Sequence, residues 1–210
     1  MPVESTTMQT MTRPAPPELS AGPDAPHPLQ WTSEEFYRLA EAGFFRSQRV
    51  MLIEGEVVCM SPQNEPHARA ISMATHAIEE AFGRGVYARV QMPLDLLQAS
   101  DPEPDVAIVT GSPKTNISRP KTALLVVEVA DSSLAFDTGD KGSLYAAAGI
   151  ADYWVVDLAH NRLLVYRDPR PDPSAVHGAS YFHHIFLGPT DTIAPLAAPG
   201  RTITVADLLP

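Results

Sequence analysis

Glu128 stands inside an apolar, β-branched run, Leu124 to Val129, and Asp105 heads a second run, Val106 to Val109. Runs of this kind read as strands of a buried sheet. An ionised carboxylate in that setting loses its hydration, so it must meet a cation or shift its pKa. Two such carboxylates suggest one shared cation. Oxygen ligands with water on the open positions suit a hard divalent ion of the magnesium type better than zinc. Lys141 follows the second carboxylate and gains a role beside it. It can orient or help deprotonate an attacking water held by the metal, or offset charge on a transferring phosphoryl group. The alternative for either acid taken alone is a charged residue at a strand end, facing solvent.

A chain of 210 residues with 44% hydrophobic content can bury one sizeable core, so one domain is expected. The first thirty residues differ from the rest. They carry Pro2, Pro14, Pro16, Pro17, Pro23, Pro26 and Pro28 and show no apolar period, which predicts a disordered leader over 1–30 and a folded domain over 31–210. The leader lacks the basic start and apolar segment of a signal peptide, and no stretch approaches the roughly 18 apolar residues of a membrane span. A soluble, cytoplasmic protein is therefore expected. Cys59 is the single cysteine, so no intrachain disulfide can form, and its place within Val57-Val58-Cys59-Met60 reads as a buried strand position.

The formal charge of −10 opposes the counterion release that drives nucleic-acid binding. The leader contributes only −2 of it, leaving −8 on the folded part. Lys114, Arg119 and Lys121, between the two carboxylate strands, form a small basic cluster that reads either as a phosphate-binding patch or as solvated surface.

Thr32 and Glu35 have capping-box spacing for a helix running to about Gly43. Val50 to Met60 reads as two short strands around Glu54-Gly55. A second helix begins near His67, with Ile71, Ala74, Ile78 and Phe82 on one face, and stops at Gly83. Val86 to Leu97 reads as a strand. Asp137 and Asp140 have N-cap and third-residue spacing for a helix that carries Lys141 in its first turn and stops at Gly149. Tyr153 to Asp157 and Leu163 to Arg167 flank a hairpin signal at Ala159-His160-Asn161. This order lets Lys141 and Glu128 converge at one end of a sheet, beside a helix start that favours phosphate.

The segment Leu124 to Ser133, continuing through Phe136-Asp137, Asp140-Lys141, Leu144-Tyr145-Ala146, Ala148-Gly149-Ile150 and Tyr153 to Asp157, resembles the Uma-two family. That family comprises putative restriction endonucleases of the PD-(D/E)XK nuclease superfamily. The resemblance extends over Leu52 to Glu56, Ser61-Pro62, His67, Gln91 to Leu94 and Glu103 to Ala107, and downstream over Leu163 to Arg167 and Ile203 to Leu208. It covers the chain from about Trp31 onward. It implies an α/β fold, a restriction-endonuclease-like mixed β-sheet flanked by helices in a single domain. It also implies a metal-dependent endonuclease acting on nucleic acid, DNA being the expected form, with Mg²⁺ or Mn²⁺ held by Asp105 and Glu128 and with Lys141 as the catalytic lysine. The backbone carbonyl beside Glu128 can complete the metal site.

Two departures stand out. The superfamily's usual lysine lies two residues after the glutamate, where this chain has Ala130, and the family resembled supplies it from the following helix, at the place of Lys141. Where the family pattern usually has a glutamate before the Leu-Ile pair, this chain has Met51. That loss would lower metal affinity or turnover, and it supports the alternative of a catalytically weak relative acting as a nucleic-acid-binding, regulatory or assembly module.

His67 and Gln91 match family positions, and the resemblance implies substrate-binding roles for both, with surface histidine and strand amide as the plainer readings. His183 and His184 alternate along a strand and so face opposite ways, which opposes joint metal binding. His76, His160 and His177 show no ligand spacing. No Gly-rich phosphate loop, nucleophile elbow or CxxC pair is present, which argues against nucleotide kinases, serine hydrolases and zinc ribbons. Homodimerisation would suit cuts in both strands of a duplex, although no heptad or large apolar patch is readable.

Overall fold

A reciprocal cap opens the first helix, α1 (Ser33–Glu41). The Thr32 hydroxyl accepts from Glu35 N at 3.2 Å, while Glu35 Oε2 accepts from Thr32 N at 3.0 Å. The computed structural model describes residues 27–97 and 99–210, so positions 1–26 of the expected leader lie outside the described residues. β1 (Val50–Ile53) and β2 (Glu56–Cys59) form a hairpin with Met51 opposite Val58. Its two turn residues, Glu54 and Gly55, both have positive φ, 46° and 78°, the backbone that matches strand twist in a two-residue turn. A Cβ at Gly55 would stand 2.8 Å from Gln30 Cβ and 3.1 Å from the Trp31 backbone, so only glycine fits this close approach.

α2 (Glu65–Phe82) starts two residues earlier than the sequence suggests, because Asn64 is the cap and accepts from His67 N at 3.0 Å. β3 (Val86–Val90), β4 (Val106–Thr110), β5 (Leu125–Ala130), β6 (Asp152–Asp157), β7 (Arg162–Pro171) and β8 (Ala179–Leu187) build one six-stranded sheet whose spatial order follows the chain. All neighbours are antiparallel except β5 and β6. A parallel pair needs a crossover. Here it is a helical segment made of α3 (Leu134–Phe136), a π-helical turn (Asp137–Lys141) and α4 (Gly142–Ala147). β9 (Thr192–Ile193) and β10 (Ile203–Thr204) pair with each other, ahead of a 3-10 turn over Val205–Leu208.

β5 and β6 are buried at every position, which explains their near-continuous apolar sequence. Helices cover both faces. Ile71, Ala74 and Ile78 of α2 pack with Ile108, Val127 and Trp154 on one side, together with Val205 and Leu208. Tyr145 and Ala146 of α4 pack with Ala107, Val126, Tyr153 and Val155 on the other. Fully buried aliphatic residues of this kind each carry about 2–5 kcal/mol against truncation to alanine. The result is the mixed α/β fold that the sequence implies, in one three-layer unit.

Three local expectations differ from the structure. β3 ends at Val90 rather than Leu97, because Gln91 adopts a left-handed φ of 52° and Pro93 follows, so the chain turns away from the ladder. Asp137 and Asp140 do not open a helix. The helical segment begins at Leu134, and both aspartates belong to the π-helical turn. Cys59 is exposed rather than buried: it ends β2, a strand paired on one side only and exposed at both of its ends.

Candidate active site

Asp105 sits at the head of β4, one residue before the ladder to β5 begins, and its side chain extends that pairing: Oδ2 accepts from Val129 N at 2.9 Å. Oδ1 accepts from Gln91 Nε2 at 3.1 Å and lies 3.3 Å from His67 Nε2. Burial pushes the Asp105 pKa up, but these bonds, with the His67 charge, outweigh it and hold the carboxyl below its ordinary value. The same bond to Asp105 raises His67 above its ordinary value, against the effect of its own burial. Gln91 makes its bond from a strained backbone, the left-handed region costing a non-glycine residue about 1–2 kcal/mol. The structure thus brings His67 and Gln91, expected at the substrate, onto Asp105.

Glu128, in the middle of β5, is 2% exposed. Its Oε1 accepts from the Tyr145 hydroxyl at 2.7 Å and meets Lys141 Nζ at 2.9 Å. The other carboxylate oxygen takes no hydrogen bond among the described residues. Burial pushes Glu128 up to about 8, with Asp105 and Asp137 adding to the rise and Lys141 and Tyr145 opposing it. Burial alone would lower Lys141, but the Glu128 and Asp137 carboxylates hold its pKa above the ordinary value. Asp137 Oδ1 lies 3.5 Å from Lys141 Nζ, and its Oδ2 accepts from the Ser133 hydroxyl at 2.5 Å. Burial raises Asp137 as well.

Asp105, Glu128, Asp137, Lys141 and His67 all line one cavity of about 380 Å³. Met51 and Val58 of the hairpin, Asn64 before α2 and Phe136 of α3 wall it. Met51 is 2% exposed and packs with Ile53 and Leu144, so the position where the sequence lacks an acid does face this cavity. Sequence reasoning missed two members of the site. Tyr145 receives no role of its own from the sequence, since a tyrosine in a short helix carries no motif, and Asp137 reads as a cap because aspartates three apart imitate cap spacing.

No three of His, Cys, Asp and Glu converge as a ready-made metal cage among the described residues. The donor set nevertheless fits a hard cation that retains water. Two carboxylates from adjacent strands share one cavity, and Glu128 keeps an oxygen without a hydrogen-bond partner. Asp105, Glu128 and Asp137 crowd together around the single ammonium of Lys141, with Asp131 also on the wall and Arg49 and His67 as the other basic groups. A proton on Glu128 or a divalent ion relieves the repulsion among the buried carboxylates.

The basic cluster is differently employed. Arg119 Nη1 lies 2.9 Å from Asp101 Oδ1 and its guanidinium covers the Tyr37 ring at 4.2 Å, while Lys121 Nζ stands 3.8 Å from Asp95. His183 and His184 lie on the edge strand β8, away from the cavity. No helix among the described residues is long and apolar enough to cross a membrane.

A putative nuclease belonging to DUF820 from Anabaena variabilis has a crystal structure that superposes with a TM-score of 0.60 at 14% identity, over 84% of this chain and 96% of that one, which establishes a shared fold. No curated protein matches the chain. The sequence pattern of the Uma2 family, described as putative restriction endonuclease, matches residues 33–206. The chain belongs to the Uma2 family.

Proposed function

We propose that this protein is a metal-dependent endonuclease that hydrolyses phosphodiester bonds of nucleic acid, DNA being the expected substrate, with residues 31–210 as its catalytic domain. The observation that carries the reading is the joint placement of Asp105, Glu128 and Lys141 in one buried cavity of a fold shared with a nuclease-type protein. Asp105 and Glu128 would hold the ion, with the backbone carbonyl beside Glu128 as a further oxygen. Bound there, Mg²⁺ or Mn²⁺ supplies Lewis acidity and a lowered pKa for an attacking water. His67, Gln91 and Val129 N–H fix the Asp105 carboxylate, and Tyr145 fixes that of Glu128. Lys141 presents its ammonium to the charge that develops on the phosphoryl oxygens or orients the water. His67, which lines the cavity, would meet a substrate phosphate as well. The reading includes a cytoplasmic working compartment, and cuts in both strands of a duplex would require two copies of the site.

The test is cleavage of supercoiled plasmid in Mg²⁺ or Mn²⁺. Native protein should nick or linearise it, excess chelator should stop the reaction, and Asp105→Ala should fall to background. Cleavage that persists in chelator, or in the variant, removes this reading. A second reading, an inactive nucleic-acid-binding or assembly module, is favoured by one observation: Met51 closes the cavity wall with a thioether where the family pattern has an acid.

A further inference from the structure

In the motif that the sequence resembles, the lysine lies two residues after the glutamate, a position that in this chain would be on β5 itself, fixed by the sheet ladder. Here that position is Ala130, fully buried at the end of β5. A lysine carried on a helix has a long flexible stem and no ladder to aim it. Something else must hold its ammonium, and Glu128 alone is a poor holder, because its charge is the one a bound cation would claim.

We propose that Asp137 is the positioning residue that aims the Lys141 ammonium into the site, a role that rests on the nuclease reading above. Asp137 is 2% exposed, and its Oδ1 lies 3.5 Å from Lys141 Nζ. The carboxylate is itself held: Ser133 donates to Oδ2 at 2.5 Å, and Tyr153 donates to the Asp137 backbone carbonyl at 2.7 Å. The turn that carries both residues is π-helical, a geometry that recurs at functional sites. It is also pinned from its far side. Asp140 Oδ1 lies 3.0 Å from His177 Nε2, the other ring nitrogen of His177 stands 2.9 Å from Glu54 Oε1, and His177 N–H donates to the Ser143 hydroxyl at 2.9 Å. The Phe136 ring lies 5.9 Å from Nζ and closes the remaining side. Asp137 would therefore keep a negative partner on Lys141 when Glu128 is engaged elsewhere.

The chain offers a direct readout, since Lys114, Lys121 and Lys141 are its only lysines. Lys121 has an 80% exposed side chain, Lys114 is exposed, and Lys141 is 4% exposed. Acylation of metal-free native protein with an N-hydroxysuccinimide ester, read by peptide mass spectrometry, should label Lys114 and Lys121 readily and Lys141 slowly. Asp137→Asn keeps the shape and an oxygen for Ser133, and should raise the Lys141 labelling rate relative to Lys121 by at least about fivefold. On supercoiled plasmid in Mg²⁺ it should lower kcat about 10- to 100-fold, with KM and Mn²⁺ affinity within about twofold of native. Ser133→Ala, which loosens Asp137 without removing its charge, should move both readouts the same way and less, and it stands in if the first variant fails to fold. An unchanged Lys141 labelling ratio overturns the proposal whatever the activity, as does faster labelling with unchanged kcat. If native protein cleaves no plasmid, the nuclease reading fails on its own while the labelling still decides whether Asp137 holds Lys141.

Discussion

The hydroxyl of Tyr145 donates to the same oxygen of Glu128 that meets the Lys141 ammonium, at 2.7 Å and 2.9 Å. Burial and the Glu128 charge keep that phenol protonated, so it is always a donor. Glu128 is thereby fixed from α4, by a residue to which the sequence alone assigns no role. Tyr145→Phe keeps the ring packed 5.0 Å from Tyr153 and removes only the bond. A loss of about 1.5 kcal/mol in stability is expected, on the scale of a buried hydrogen bond to an acid group, together with weaker Mn²⁺ binding at neutral pH. Urea unfolding and calorimetric titration check the two effects, and native-like values in both would remove the role given to Tyr145.

Metal binding should depend on pH in a defined direction. Glu128 has its pKa raised to about 8, so below that pH an incoming cation must displace a proton. Mn²⁺ affinity should rise by about tenfold per pH unit from pH 6.5 toward 8 and level off above it. Titration in buffers of different ionisation enthalpy should show about one proton released per ion at pH 7. In the metal-free protein the same raised pKa gives a stabilising contribution that is complete below about 4.5 and lost as pH rises through 8. Glu128→Gln should remove that decline.

Lys141→Ala tests both structure and chemistry. It leaves Glu128 and Asp137 buried with their shared cation gone, a change that costs about 3–5 kcal/mol when one member of a buried pair is removed. The variant should unfold at lower temperature than native, yet gain more in Tm on addition of Mn²⁺, because the ion restores positive charge to the cavity. Its plasmid cleavage should fall by about 10²- to 10³-fold. An equal Tm gain for both proteins would mean that Lys141 and the metal do not answer the same charge.

Met51→Glu places an acid in the cavity wall, beside Ile53 and Leu144. Without metal it should lower Tm by roughly 5–10 °C, since a carboxyl is buried with no cation assigned to it. With Mn²⁺ the deficit should shrink and affinity should tighten. Raised cleavage would locate a defect of the native site at position 51, whereas no cleavage by either form on any DNA or RNA would favour the binding-module reading.

His177 supplies a second pH signature, away from the cavity. Burial alone would lower its pKa, but Glu54 and Asp140 hold it above the ordinary 6.5. Its contribution to stability is fully present below 6.5 and is lost as pH rises through the higher folded value. The Tm gap between native protein and His177→Gln should therefore be widest near pH 6 and close at alkaline pH. A constant gap from pH 6 to 9 would show that the ring acts by packing alone.

The burial of Asp105 and Glu128 was legible in the sequence because carboxylates inside apolar strands are anomalous wherever the sheet ends up. The sheet and both of its faces were legible for a related reason, since Ile71, Ala74 and Ile78 keep helical spacing while Leu125 to Ala130 stays apolar throughout. Asp137 was not, because a π-helical turn has no sequence signature and its aspartates imitate a cap. His177 was not legible either. Its partners come from the β1–β2 turn and from the crossover, so no local spacing joins them. The end of β3 was misjudged because a left-handed Gln91 follows no propensity rule and instead reaches Asp105.

The order of the elements has an evolutionary consequence. Asp105, Glu128, Asp137, Lys141 and Tyr145 all lie on β4, β5 and the crossover that leads to β6, one uninterrupted stretch of chain, whereas the opposite wall comes from β1, β2 and the start of α2. Variation of this scaffold can therefore remake the hairpin and the approach to α2, and with them what the cavity admits and what holds Asp105 through His67, while Asp105, Glu128, Asp137, Lys141 and Tyr145 travel together. Met51 stands on that variable wall, so a substitution there changes the charge and the opening of the cavity while the carboxylates, Lys141 and Tyr145 stay on their own continuous segment.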